Sequence, residues 1–175
     1  MGGYGHAYRL QWTSRPFYGW LTSLGLTPAR SLTIGALEIP DEYFADFFHG
    51  CIDGDGSIVT YVDRDNARKK PSYVYDRLYV SLVSASPELL TWIQRRIFLL
   101  LGIAGHLNAS RCRGRREMWH LRCAKRDSVS LLKWMYYAPG IPALQRKRMR
   151  GNRALADPTW YRHSLARGDD DDVPV

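Results

Sequence analysis

Cysteine is scarce, and its spacing suits no shared role. Cys51, Cys112 and Cys123 are an odd number, and no Cys-x-x-Cys pair occurs. That argues against a disulfide scaffold and against a cysteine-built zinc site, and it points to a reduced, intracellular setting, cytoplasmic or nucleoid. Long apolar runs are missing too: none approaches the roughly 20 residues that a membrane span needs, so no membrane partner is expected. Met1 to Leu10 lacks the apolar core of a signal peptide. Lysine is sparse, with 5 against 20 arginines, a bias that argues against an organelle. Acidic residues are few: 17 against 25 basic ones, for a net charge of +8. Four of those acids form the run Asp169–Asp172, and without them the rest of the chain carries +12. Arginine suits bidentate recognition of phosphate and of guanine edges. A basic globular chain of this kind is expected to meet nucleic acid.

What the chain does have is one stretch on which the rest is organised, Phe48-His49-Gly50-Cys51-Ile52-Asp53-Gly54-Asp55-Gly56. Phe44, Phe47, Phe48, Cys51 and Ile52 follow the i, i+3, i+4 spacing of a buried helix face. Gly50 and Gly54 are four apart and share a face. Glycine inside a helix costs roughly 1 kcal/mol relative to alanine, so two on one stripe suggest close approach of another backbone. Asp55 falls where the helix should end, and there the macrodipole disfavours an anion. A carboxylate held there against local preference is a candidate metal ligand.

Around this stretch the sequence predicts three parts: an N-terminal strand–helix extension over 1–40, a main domain over 41–155, and a loose acidic tail over 156–175. In the extension, Tyr8 to Trp12 alternates like a strand, and Arg15 to Leu24 reads as a helix closed by Gly25. The order resembles that of the strand at Trp119 to Cys123 and the helix after it, a weak internal echo. In the main domain, Asp41 is expected to cap the motif helix. Strands follow over Ser57–Arg64 and Tyr73–Ser84. Ser86-Pro87-Glu88 starts a second helix that ends at Gly102. Strands over His106–Arg113 and Glu117–Ala124 come next, then a helix from Asp127 to Tyr137 and a basic last helix from Pro142. Strand alternation puts Tyr61, Tyr75, Arg77, Tyr79, Asn108, Ser110, His120 and Arg122 on one outward face and an apolar set on the other.

Phe48 to Gly56 resembles the motif of the LAGLIDADG homing endonucleases. Gly50, Ile52, Asp53, Asp55 and Gly56 match it; Gly54 is its commonest small-residue variant; Phe48, His49 and Cys51 depart from it. Ile39-Pro40 before the motif, Ser57-Ile58 after it, and the order of elements to about residue 155 are similar as well. The resemblance implies an α+β fold, helix-strand-strand-helix-strand-strand-helix, with a four-stranded antiparallel sheet lying on DNA. It implies a metal-dependent endonuclease cutting both strands of a long DNA site, belonging to a mobile intron or intein. Only one motif is present, which implies a homodimer and a near-palindromic site.

The resemblance also assigns residues. Asp55 would bind Mg2+, with Mn2+ or Ca2+ able to substitute in binding, and no small-molecule cofactor is implied. Lys125, at the end of the fourth strand, would stand beside the active site. Gly50, Gly54, Phe47 and Cys51 would form the dimer interface. Double-stranded DNA would meet the outward face named above together with Arg68, Lys69, Arg111, Arg113, Arg115 and Arg116. A polar group that positions water is expected near the end of the second strand, where Ser84 and Ser86 are nearest.

The same residues admit other readings. A calcium loop over Asp53–Gly56 would need acids where Cys51 and Val62 stand. Asp53-Gly54 could be a plain helix-ending turn, against which Gly50 argues. Asp53 reads as structural. His49 is expected to pack near the dimer interface and not to act as a base. The alternative function is a DNA-binding regulator that does not cut, or a splicing maturase that binds RNA.

Overall fold

Among the described residues, alternating apolar and polar side chains give four strands with one oily face, and three helices carry the apolar stripes that cover that face. The structure is a computed structural model, and it describes residues 11, 13–27, 32, 34–65, 74–111 and 117–156. Helix α1 spans Arg15–Ser23 and helix α2 spans Phe44–Asp55. Strands β1 (Gly56–Asp63) and β2 (Tyr75–Ser84) follow, then helix α3 (Pro87–Leu101). Strands β3 (His106–Ser110) and β4 (Met118–Cys123) precede helices α4 (Lys125–Met135) and α5 (Gln145–Ala156). The four strands form one antiparallel sheet in the order β1-β2-β4-β3. This is the expected α+β architecture.

The register explains the division of the sheet. Ile58 pairs with Val80, Val80 with Cys123, and Leu107 with Leu121. These five positions, with Leu78 and Leu82, point to one side; Leu107 packs half-buried against the core and the others are part of it. From the helices come Phe44, Phe48 and Ile52 of α2, Leu90, Ile93 and Ile97 of α3, and Leu131, Leu132 and Met135 of α4. Phe44 is fully buried and meets the rings of Phe47, Trp92 and Trp134 at 5.4–6.2 Å between centroids. Helix α3 is delimited as its residues predict. The Ser86 hydroxyl accepts from Leu89 N–H, Pro87 opens the first turn, and Gly102 closes the helix in the left-handed region at φ 70°.

Several boundaries differ from expectation. Asp41 caps nothing; Asp41–Tyr43 form a 3-10 turn, and the Asp41 carboxylate pairs with Arg96. The last helix begins at Gln145, three residues later than Pro142 predicts, and the Leu144 N–H just before it is held by the Asp53 carboxylate. Strand β3 ends at Ser110, and helix α4 runs from Lys125 to Met135. Helix α1 forms with Ser14 as its cap, and it exposes Phe17, Tyr18 and Trp20. The echo strand Tyr8–Trp12, apart from Gln11, lies outside the described residues, as does the tail beyond Ala156. Among the described residues, no helix is long and apolar enough to cross a membrane.

One buried hydroxyl joins helix and sheet. Ser128 of α4 is fully buried; its Oγ donates to Cys123 O at 2.7 Å and accepts from Val80 N–H at 2.9 Å. Ser128→Ala leaves both backbone groups without that partner, so it should cost about 1–3 kcal/mol in urea unfolding. Ser110→Ala, which removes an exposed contact to His120, should stay within about 0.5 kcal/mol. Equal midpoints for the two variants would contradict this account.

Candidate nucleic-acid interface and acidic site

Helix α2 ends without a loop. Asp55 is its last residue, and Gly56 is already the first residue of β1, with φ −89° and ψ 176°. A Cβ at Gly56 would lie 2.6 Å from the Ile52 Cα, a backbone atom that cannot give way. Only glycine therefore allows this direct passage from helix to strand. Asp55 is left exposed at the junction.

The opposite side of the junction is gripped by the segment that enters α5. Lys147 is 4% exposed, and its Nζ donates to Ile52 O at 2.6 Å, Asp53 O at 2.8 Å and Gly56 O at 2.7 Å. Burial and the neighbouring Arg146 lower its pKa, while Asp53 and Asp55 pull it back up. The Asp53 carboxylate accepts from Leu144 N–H at 2.6 Å and lies 3.4 Å from His49 Nε2. His49 is buried edge-on against Tyr136, with ring centroids 4.9 Å apart. It thus packs inward within its own chain, not on the face where an interface was expected. Burial first, and then Asp53, push the Tyr136 hydroxyl up to about 12. Asp53 is therefore occupied with structure, and Asp55 is left facing solvent.

The expected interface residues share a side of α2. Gly50 and Gly54 are exposed, and a Cβ on either would meet nothing within 4 Å. Phe47 and Cys51 are half-buried beside them. Burial, and then the Asp55 carboxylate, raise the Cys51 thiol to about 11; burial and then Asp127 raise that of Cys123 to about 12. Both thiols stay protonated near neutral pH, so neither is poised as a nucleophile.

The eight residues predicted for the outward sheet face do lie on one face. Tyr61 pairs with Arg77, Val59 with Tyr79, Ser81 with Arg122, and Asn108 with His120. Tyr61 and Tyr79 stack at 6.3 Å, and the Arg122 guanidinium lies 4.8 Å over the Tyr79 ring. Ser110 and His120 are hydrogen-bonded at 2.8 Å. Arg77 covers Tyr75 and donates from Nε to Asp63 Oδ2 at 3.1 Å, so its charge is already paired. The Asp65 N–H and Arg77 hold the Asp63 carboxyl below its ordinary pKa. Arg111 is exposed, 3.7 Å from Glu117. Arg68, Lys69, Arg113, Arg115 and Arg116 lie outside the described residues.

Lys125 is half-buried and opens α4, two residues past the end of β4. Ser86 is committed to capping α3 and to Ile34 O, while the half-buried Ser84 accepts from Ser86 N–H at 3.1 Å. Sequence reasoning missed the role of Lys147, which stands in a run of basic residues with nothing local to set it apart. It also missed the pairing of Asp63 with Arg77, although their alternation on paired strands carried that signal.

Comparison with protein-family profiles finds no match, and comparison with curated proteins finds none. Solved structures do match. The group I intron-encoded homing endonuclease I-CeuI, complexed with DNA, has a TM-score of 0.53 at 9% identity, over 75% of this chain and 60% of that one. The homing endonuclease I-CvuI, in complex with the I-CreI target, has a TM-score of 0.46 at 20% identity, over 74% and 72%. I-TnaI, also a homing endonuclease, has a TM-score of 0.47 at 14% identity, over 71% and 74%. Sheet order, motif helix and the likeness to I-CeuI agree: the chain has the fold of the homing endonucleases.

Proposed function

We propose that this chain is a site-specific DNA endonuclease of the LAGLIDADG family, working as a homodimer on a near-palindromic site and serving the mobility of an intron or intein. The observation that carries the reading is Asp55: an exposed carboxylate on the last turn of a helix whose adjacent glycine face is open, beside a sheet with a polar, basic outer face. I-CeuI, which shares the fold, is complexed with DNA. The outer face supplies what groove reading needs. Arg122, Asn108, His120 and Ser110 offer donors and acceptors at strand spacing, and the tyrosines offer flat apolar surface.

A divalent ion fits this proposal in one respect. Asp55 is a hard oxygen donor, as Mg2+ prefers, and it is free of the internal bonds that occupy Asp53. Among the described residues, no three His, Cys, Asp or Glu side chains gather where they could hold a metal ion. One chain thus brings half a site, and a second chain docked along Gly50 and Gly54 would bring the other Asp55. Bound there, the metal would supply Lewis-acid chemistry to phosphodiester hydrolysis. Asp55 would hold it, and Lys125 would supply positive charge beside the phosphate. The glycine face lets two helices approach closely enough for their ends to meet.

Three measurements test this. Asp55→Asn should abolish magnesium-dependent cleavage of a plasmid library while leaving DNA binding in calcium intact; a wild-type chain that binds without cutting in magnesium or manganese is instead the non-cleaving regulator or maturase. Gly50→Leu has open space in the single chain and gains roughly 0.8–1 kcal/mol of helix propensity, so it should stay folded yet sediment as a monomer. A dimer of unchanged mass would remove α2 from the interface. DNA affinity should fall with salt at a slope of about −0.9 in log–log form for each phosphate neutralised; a flat response would contradict groove binding.

A further inference from the structure

A buried lysine whose three hydrogens all go to main-chain oxygens is an unusual use of charge. An ammonium has three donors and no acceptor, and Lys147 spends all of them within 2.8 Å on Ile52, Asp53 and Gly56. These carbonyls stand on both sides of Gly54 and Asp55. Two belong to the last turn of α2, where the helix carries partial negative charge; Ile52 O also accepts from the Gly56 N–H, and Lys147 takes its second lone pair. Lys147 reaches this point because α5 packs closely on α4: a Cβ at Gly151 would lie 2.9 Å from the Tyr136 ring. The Leu144 N–H to Asp53 bond pins the entry of α5 to the same turn. The junction is therefore held from α5 on one side and left open to solvent on the other, where Asp55 sits.

We propose that Lys147 is the positioning residue for Asp55. By fixing the backbone before and after Asp55, the ammonium sets the direction of the carboxylate before any metal arrives. Its charge also offsets the partial negative charge of the helix end. The inference rests on the reading of Asp55 as the metal-binding acid. It goes beyond an ordinary helix cap, which would stabilise the fold without bearing on the reaction.

The test uses the full chain. Lys147→Met keeps the apolar stem and removes the three donors. Lys147→Arg keeps the charge but cannot aim three hydrogens from one nitrogen. Ile97→Val, in the core on α3, supplies a destabilised reference. Without DNA or metal, amide exchange in the segment 53–57 of the methionine variant should rise by about tenfold or more, the equivalent of a lost hydrogen bond, while the sheet exchanges as before. With DNA, affinity in calcium should be unchanged. The single-turnover cleavage rate should fall about a hundredfold, as for a displaced reacting group, and half-saturating magnesium should rise. The arginine variant should recover part of both. Ile97→Val should lower the melting temperature and change neither. Unchanged exchange at 53–57, or a rate loss no greater than that of Ile97→Val, overturns the proposal. If the methionine variant does not fold, the arginine variant decides: exchange, rate and magnesium dependence equal to wild type overturn it. A wild-type chain that cuts no DNA sinks the nuclease reading alone, since the exchange arm still decides whether Lys147 holds the junction.

Discussion

Everything in this fold that bears on function hangs on how one helix stops. A helix terminus normally spends several residues leaving its axis, satisfying free carbonyls with water or with a reversed turn. Helix α2 spends none. Its last residue is Asp55 and the next residue is in a strand, with only the Gly56 N–H turned back to Ile52 O, so the remaining carbonyl lone pairs are met from elsewhere in the chain. They are met by an ammonium borne on α5, more than ninety residues on in sequence. The cost of burying a charge is offset because every one of its protons is bonded. The fold thus needs its final helix in order to finish its first motif.

That dependence marks the limit of what could be read without coordinates. The sheet was legible, because a period of two assigns every strand residue to a face and the core needs one of those faces. Hence Tyr61, Arg77, Tyr79, Asn108, His120 and Arg122 fall together as expected. Helix α3 was legible because its start and stop are local: a serine cap, a proline and a left-handed glycine. Helix α5 was not. Pro142 looks like a start, but the segment before Gln145 is held by Asp53, a partner no local rule points to.

The motif illustrates the same division. Its glycines and acids were visible as a pattern, and the ending of the helix could be placed between Asp55 and Gly56. The difference between the two aspartates lies in which backbone each one faces. Asp53 turns inward to Leu144 and His49, while Asp55 turns outward. His49, expected near an interface, is buried edge-on against Tyr136.

The stack of Tyr61, Tyr79 and Arg122 has a consequence of its own. Long side chains on a surface normally lose rotamer freedom when they are first touched, at about 0.5–1.5 kcal/mol apiece. Here a guanidinium already lies on a ring and that ring on another, so much of this ordering is incurred when the chain folds. The part of the outer face around Tyr79 is thus ordered before anything touches it.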